Sequence, residues 1–140
     1  MKWRTVSPIP IKGRARHNAN GVTYTDKRTR EHLQRVADSW DGDKFAADVP
    51  LVLVIIAYKP IPKTAPKSVT RLDFTAKPDV DNVAKAVMDG LSGVAYEDDK
   101  QIVATLTRKA VRTRDVAEPY IEYLLAPDEE VEIWLMTKPS

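Results

Sequence analysis

The sequence predicts an α/β or α+β domain in which helices pack on a mixed β-sheet. Three observations predict it. LVLVIIAY, Leu51 to Tyr58, is continuously apolar and rich in β-branched residues, as in a strand buried on both faces. Two segments, one ending near Trp40 and one from Asp79 to Leu91, repeat apolar residues at helical spacing. Three later segments, Gln101 to Val111, Tyr120 to Leu125 and Val131 to Met136, have strand character. The 140 residues fit one domain, 1–140, since domains run at about 100–200 residues. A charged fraction of 30% beside 43% hydrophobic residues suits a folded chain rather than a disordered one.

In chain order, Trp3 to Val6 is a first strand, closed by the prolines of SPIPIKGRAR. Asn20-Gly21 marks a turn. Thr25 or Asp26 caps a helix whose Leu33, Val36, Ala37 and Trp40 form one apolar stripe, and Asp41-Gly42 ends it. After the central strand, KPIPKTAPKSVTRLDFTAKP reads as a long, mobile, basic loop. Pro78 holds Lys77 extended, so the second helix starts after it. There Val80, Val83, Ala84, Val87 and Leu91 share one side, and Asp81, Lys85 and Asp89 recur every four residues on the other. Gly90 and Gly93 frame its end. In the next strand Ile102, Ala104 and Leu106 share a face, and APDEE turns between the last two strands.

Composition excludes several classes. Without cysteine there is neither a disulfide framework nor a thiolate metal site, and a cytoplasmic location is expected. MKWRTVSPIPIK has no signal-peptide core, and the apolar run Val49 to Tyr58 falls short of the ~20 residues that span a bilayer, so no membrane partner is expected. A formal net charge of +2 conceals polarity: residues 1–35 carry nine Lys or Arg against Asp26 and Glu31, and residues 115–140 carry seven acids against Lys138. The basic end suits a polyanion, although a solvated charged face has the same composition.

Against that balance, six acids crowd between Asp79 and Asp99: Asp79, Asp81, Asp89, Glu97, Asp98 and Asp99. Singly, each has a structural explanation. Asp79 is an N-cap, Asp81 favours the helix dipole, and Lys85 bridges Asp81 and Asp89. Asp98 and Asp99 suit a turn. Together, if both acidic pairs reach the same end of the domain, they repel unless a cation intervenes. Oxygen ligands without His or Cys call for Mg²⁺ or Mn²⁺, not zinc. His17 and His32 make no zinc pattern and are expected at the surface or facing a polyanion. A carboxylate-held cation beside basic surface suggests phosphodiester chemistry, with Lys85 orienting water or neutralising the transition state. A structural calcium site or a simple helix cap uses similar residues.

KPDVDNVAKAVMDGLSGVAYEDDKQI resembles the signature of the RusA-type Holliday junction resolvases. The pattern stands here as Lys77-Pro78-Asp79-x-Asp81-Asn82-x-x-Lys85, Asp89-Gly90-Leu91 and Asp98-Asp99-x-Gln101-Ile102. PIPIKGRAR, TYTDKRTRE and YKPIPK resemble flanking family segments, and weaker similarity reaches Val131-Glu132-Ile133. Ala15, where many relatives have proline, and SPIP, where a glycine often precedes the prolines, depart from the pattern within the basic arm. The resemblance implies a RusA-like fold, a homodimer, four-way junction DNA as partner, Mg²⁺ (with Mn²⁺ as substitute) and no organic cofactor. It implies catalytic roles for Asp79, Asp81, Lys85 and Asp99, with Asp79, Asp81 and Asp99 binding metal and Asp98 helping. Asp89 would pair with Lys85. Lys12, Arg14, Arg16, Lys27, Arg28, Arg30, Lys63, Lys67 and Lys77 would contact DNA, in a bacterial or phage-infected cell. Two other readings stay open: a Mg²⁺ nuclease on flaps or forks, and a non-catalytic DNA-binding protein with structural acids.

Overall fold

The structure is a computed structural model that describes residues 2–12, 16–17, 23–24 and 27–131. Its elements in order are β1 (Trp3–Val6), β2 (Arg16–His17), β3 (Thr23–Tyr24), α1 (Lys27–Ser39), β4 (Leu51–Tyr58), β5 (Arg71–Leu72), α2 (Val80–Leu91), a 3₁₀ turn (Asp99–Gln101), β6 (Ile102–Lys109), β7 (Arg112–Thr113) and β8 (Tyr120–Pro127). The Asn20-Gly21 turn and the Thr25 or Asp26 cap lie outside the described residues, as do Val131–Met136 apart from Val131.

Four strands make one mixed sheet in the order β1-β8-β4-β6. β4 is antiparallel to β8 and parallel to β6. A parallel neighbour requires a crossover connection, and α2 supplies it, so β4, α2 and β6 form a βαβ unit. The helix-facing side of β4 carries Leu51, Leu53, Ile55 and Ala57, all at 0% exposure. Val36 from α1 and Val83, Val87 and Leu91 from α2 complete that core. Tyr123 on β8 joins it, with its hydroxyl 2.7 Å from Ser39 Oγ on α1.

Several expectations are corrected. A register shift between Leu51 and Val52 bulges β6 near Val103. Beyond it, Ala104 and Leu106 pair with Val52 and Val54 on the face away from the helices, and Leu106 is 61% exposed. Thr105, Thr107 and Lys109 turn toward α2 instead, opposite Leu53, Ile55 and Ala57. His32 is buried, with Nδ1 2.6 Å from an Arg35 guanidinium nitrogen, rather than at the surface. Val80, expected on the apolar stripe, is exposed at the first turn of α2.

The segment between β4 and α2 is not a bare loop. β5 pairs with β7. Arg114 donates to the carbonyls of Pro66 and Val69, and Arg112 to that of Pro60. Lys109 Nζ lies 4.9 Å from the Phe74 ring centre and donates to the carbonyls of Ala76 and Pro78. These guanidinium and ammonium groups satisfy loop carbonyls that no sheet neighbour reaches, and they fix the entry into α2.

Gly90 lies inside α2 rather than framing its end, because α1 crosses there. A Cβ at this position would stand 2.6 Å from Val36 Cβ and 2.9 Å from the Leu33 carbonyl oxygen. Gly90→Ala is therefore expected to destabilise the fold by about 1–3 kcal/mol through overpacking, in spite of alanine's better helix propensity. Urea denaturation checks this: an unchanged midpoint would show that the two helices separate at little cost. Gly93, at φ +82, makes the turn that ends the helix.

Candidate active site

α2 carries its acids on the side away from the core. Asp79 occupies the N-cap position, but its side chain makes no capping hydrogen bond. The expected structural role is thus met by position alone, and the carboxylate makes no ion pair among the described residues. Asp81 and Lys85 are exposed and make no ion pair among the described residues. The expected Lys85–Asp89 bridge is absent because Lys12 takes Asp89: its Nζ stands 2.6 Å from Asp89 Oδ2. The Lys12 backbone N–H also donates to Asn82 Oδ1 at 2.7 Å. Lys12, expected to contact DNA, latches the N-terminal segment along α2 in the chain by itself.

Asp98 and Asp99 are set by a different device. Gln101 is buried and bonded at both ends of its amide. Its Oε1 accepts from the N–H groups of Glu97 and Asp98, and its Nε2 donates to the carbonyls of Ala46 and Val49. Asp98 caps the 3₁₀ turn, accepting from the Lys100 N–H at 2.9 Å. This reciprocal arrangement is a capping box, so one oxygen of Asp98 is engaged in holding the loop. The Asp-x-x-Gln spacing held that signal. The Tyr96 hydroxyl, the feature sequence reasoning missed, lies 2.9 Å from Asp99 Oδ1 and 2.7 Å from the Met88 carbonyl oxygen. Burial, then the contact with Asp99, pushes the phenol far above its ordinary pKa, so it stays a donor.

Val80, Asp81, Ala84, Lys85, Met88 and Asp89 on α2 face Asp99, Thr105 and Thr107 across a groove of about 470 Å³. Thr107 Oγ1 is buried without a hydrogen-bond partner among the described residues. The groove thus unites Asp81, Lys85 and Asp99, together with Asp89, and leaves Asp79 outside its lining. The acidic pairs do not meet at one end of the domain. In a βαβ unit the helix runs against the strands, so the start of α2 and the start of β6 lie at opposite ends. Asp99 is tied beside Met88, roughly 10 Å along the helix axis from Asp81 at 1.5 Å per residue.

Among the described residues no three carboxylates or histidines are grouped so as to hold a metal ion. Mg²⁺ asks for less. It binds through one or two carboxylates and completes its octahedron with water and substrate phosphate. Hard oxygen donors on both sides of an open groove, with an unsatisfied hydroxyl in the wall, fit a cation of that kind whose site the substrate completes.

Of the expected DNA contacts, Lys27, Arg28, Arg30, Lys63, Lys67 and Lys77 are exposed. Arg14 and the Arg16 side chain lie outside the described residues, as does Ala15. Arg71, Arg108 and Arg114 join Lys63 and Lys67 as exposed basic residues in and beside the β5–β7 ribbon. Among the described residues no helix is long and apolar enough to cross a membrane.

A family model described as endodeoxyribonuclease RusA matches residues 6–121. The chain is also 37% identical, over 62 residues, to the uncharacterized protein YqaN of Bacillus subtilis (strain 168). That alignment covers 39% of this chain and 44% of the relative, so it spans less than half of that protein's length.

Proposed function

Because the chain belongs to the RusA endodeoxyribonuclease family, we propose that it is a divalent-metal-dependent endonuclease that cuts four-way DNA junctions. The observation that carries this reading is the groove in which Asp81, Lys85 and Asp99 share one wall-to-wall space. Asp81 and Asp99, about 10 Å apart along the helix axis, would each offer a carboxylate to a divalent cation, Mg²⁺ or its substitute Mn²⁺, with substrate phosphate and water completing its shell. Asp79 at the helix N-cap lies beside Asp81. When bound, the cation polarises the phosphate and lowers the pKa of a water. The chain's own part is to seat the scissile phosphate along α2. Lys85 places an ammonium where negative charge grows on the phosphate, and Asp89, held by Lys12, stays out of the reaction.

Exposed Lys63, Lys67, Lys77, Arg71 and Arg108, together with Lys27, Arg28 and Arg30 on α1, supply the phosphate contacts that give a nuclease its affinity. A homodimer, as the family resemblance implies, would present two equivalent sites to the two opposed strands of a junction. An apolar row suits such an association: Trp3, Leu124, Val54 and Leu106 are register partners across the outer sheet face. Trp3 and Leu106 stay exposed in the single chain.

The expected result is paired cleavage of a synthetic four-way junction with Mg²⁺, none with EDTA, and little on linear duplex of the same sequence. Preferential cutting of flaps or forks would move the substrate to other branched DNA. Junction binding with no cleavage under Mg²⁺ or Mn²⁺ would make this a DNA-binding protein whose acids are structural.

A further inference from the structure

Tyr96 is fully buried, yet its hydroxyl reaches Asp99, a groove acid that no basic side chain touches among the described residues. Its two partners, Asp99 Oδ1 at 2.9 Å and the Met88 carbonyl at 2.7 Å, are both acceptors, and a phenol has a single proton to give. Met88 O already receives the Ser92 N–H at 3.0 Å. Asp99 has no other side-chain hydrogen bond among the described residues. The proton therefore belongs to the carboxylate, the stronger, charge-assisted acceptor.

The phenol is also rigidly mounted. The Tyr96 carbonyl accepts from the Gly93 N–H at 2.7 Å, closing the turn that ends α2. On the other side, Gln101 brackets the backbone of Glu97 and Asp98. Asp99 is thus pinned between a fixed donor and a fixed loop. A carboxylate on a two-torsion side chain at a half-exposed site would otherwise sample several rotamers.

We propose that Tyr96 is a positioning residue. Its hydroxyl anchors one oxygen of Asp99 and so leaves the other presented to the groove as a preoriented cation ligand. This rests on the reading of Asp99 as a metal ligand. Hydrogen-bond partners of metal ligands typically carry 10–100-fold in metal affinity, roughly the scale expected here. A purely structural tyrosine would act otherwise: losing its hydroxyl would lower stability and leave metal affinity alone.

The variant is Tyr96→Phe, which keeps the ring in the core. Mn²⁺ is titrated into the DNA-free protein, and paramagnetic broadening of the Asp99 and Lys100 amide resonances gives the midpoint. Mg²⁺ dependence of single-turnover junction cleavage is measured in parallel, with thermal unfolding as the stability control. The expected result is a rise of about tenfold or more in both metal midpoints, with the cleavage rate at saturating Mg²⁺ within about threefold of wild type. In an Asp99→Asn background, the same change should move the Mn²⁺ midpoint by less than about twofold, because both substitutions act through one ligand. Unchanged midpoints in Tyr96→Phe, whatever its melting temperature, would overturn the proposal, as would equal shifts in the two backgrounds. Should the wild-type protein cut no junction at all, the nuclease reading fails, and the amide titration still decides the role of Tyr96.

Discussion

Lys85→Ala is expected to fold as the wild type does, bind junctions equally well, and lose at least about a hundredfold in single-turnover cleavage. The structure removes the competing role for this lysine. An i,i+4 bridge to Asp81 or Asp89, worth about 0.3–0.5 kcal/mol on an exposed helix, is not formed among the described residues, and Asp89 is engaged by Lys12. Lys85 is exposed and lines the groove one turn from Asp81. An ammonium held there, at growing phosphate charge, is comparable to an oxyanion-hole donor, worth about 2.7–4 kcal/mol. Lys85→Arg is expected to restore little, since a planar fork does not replace a compact ammonium. Gel shift and single-turnover cleavage on one protein batch make the measurement. A rate within a fewfold of wild type would reduce Lys85 to a solvated surface charge.

Asp81→Asn has the larger expected effect: a loss of about a thousandfold or more in cleavage with junction binding intact. The substitution removes one charge and leaves the shape. Several kcal/mol of metal-derived transition-state stabilisation corresponds to that factor at 1.36 kcal/mol per decade. Stability should hardly change, because Asp81 is exposed and makes no ion pair among the described residues. DNA affinity depends on Lys and Arg contacts to phosphates, so removing an acid does not weaken it. Cleavage that survives in Asp81→Asn would place the catalytic centre elsewhere on the chain.

Much of this protein was determined by the sequence alone. The period of 3.6 from Val83 to Leu91 specified α2, and the unbroken apolar run from Leu51 to Tyr58 specified the central strand, since local spacing sets which faces are buried. The Lys77–Ile102 signature pointed to the family whose model matches residues 6–121.

Tertiary structure decided which of those acids share a space. Asp79 and Asp99 look like neighbours in a short motif. The crossover that makes β4 and β6 parallel sends α2 back along the sheet and separates the two ends by the length of the helix. Tertiary structure also decided which lysine is engaged. Lys12 reaches Asp89 across 77 residues, a pairing no local pattern encodes, and so leaves Lys85 to the groove. Likewise, the bulge at Val103 turned Thr105 and Thr107 inward and Leu106 outward, because a one-residue shift exchanges the two faces of a strand. Spacing along the chain fixes the faces of single elements. The partners of a charged side chain depend on how those elements are brought together.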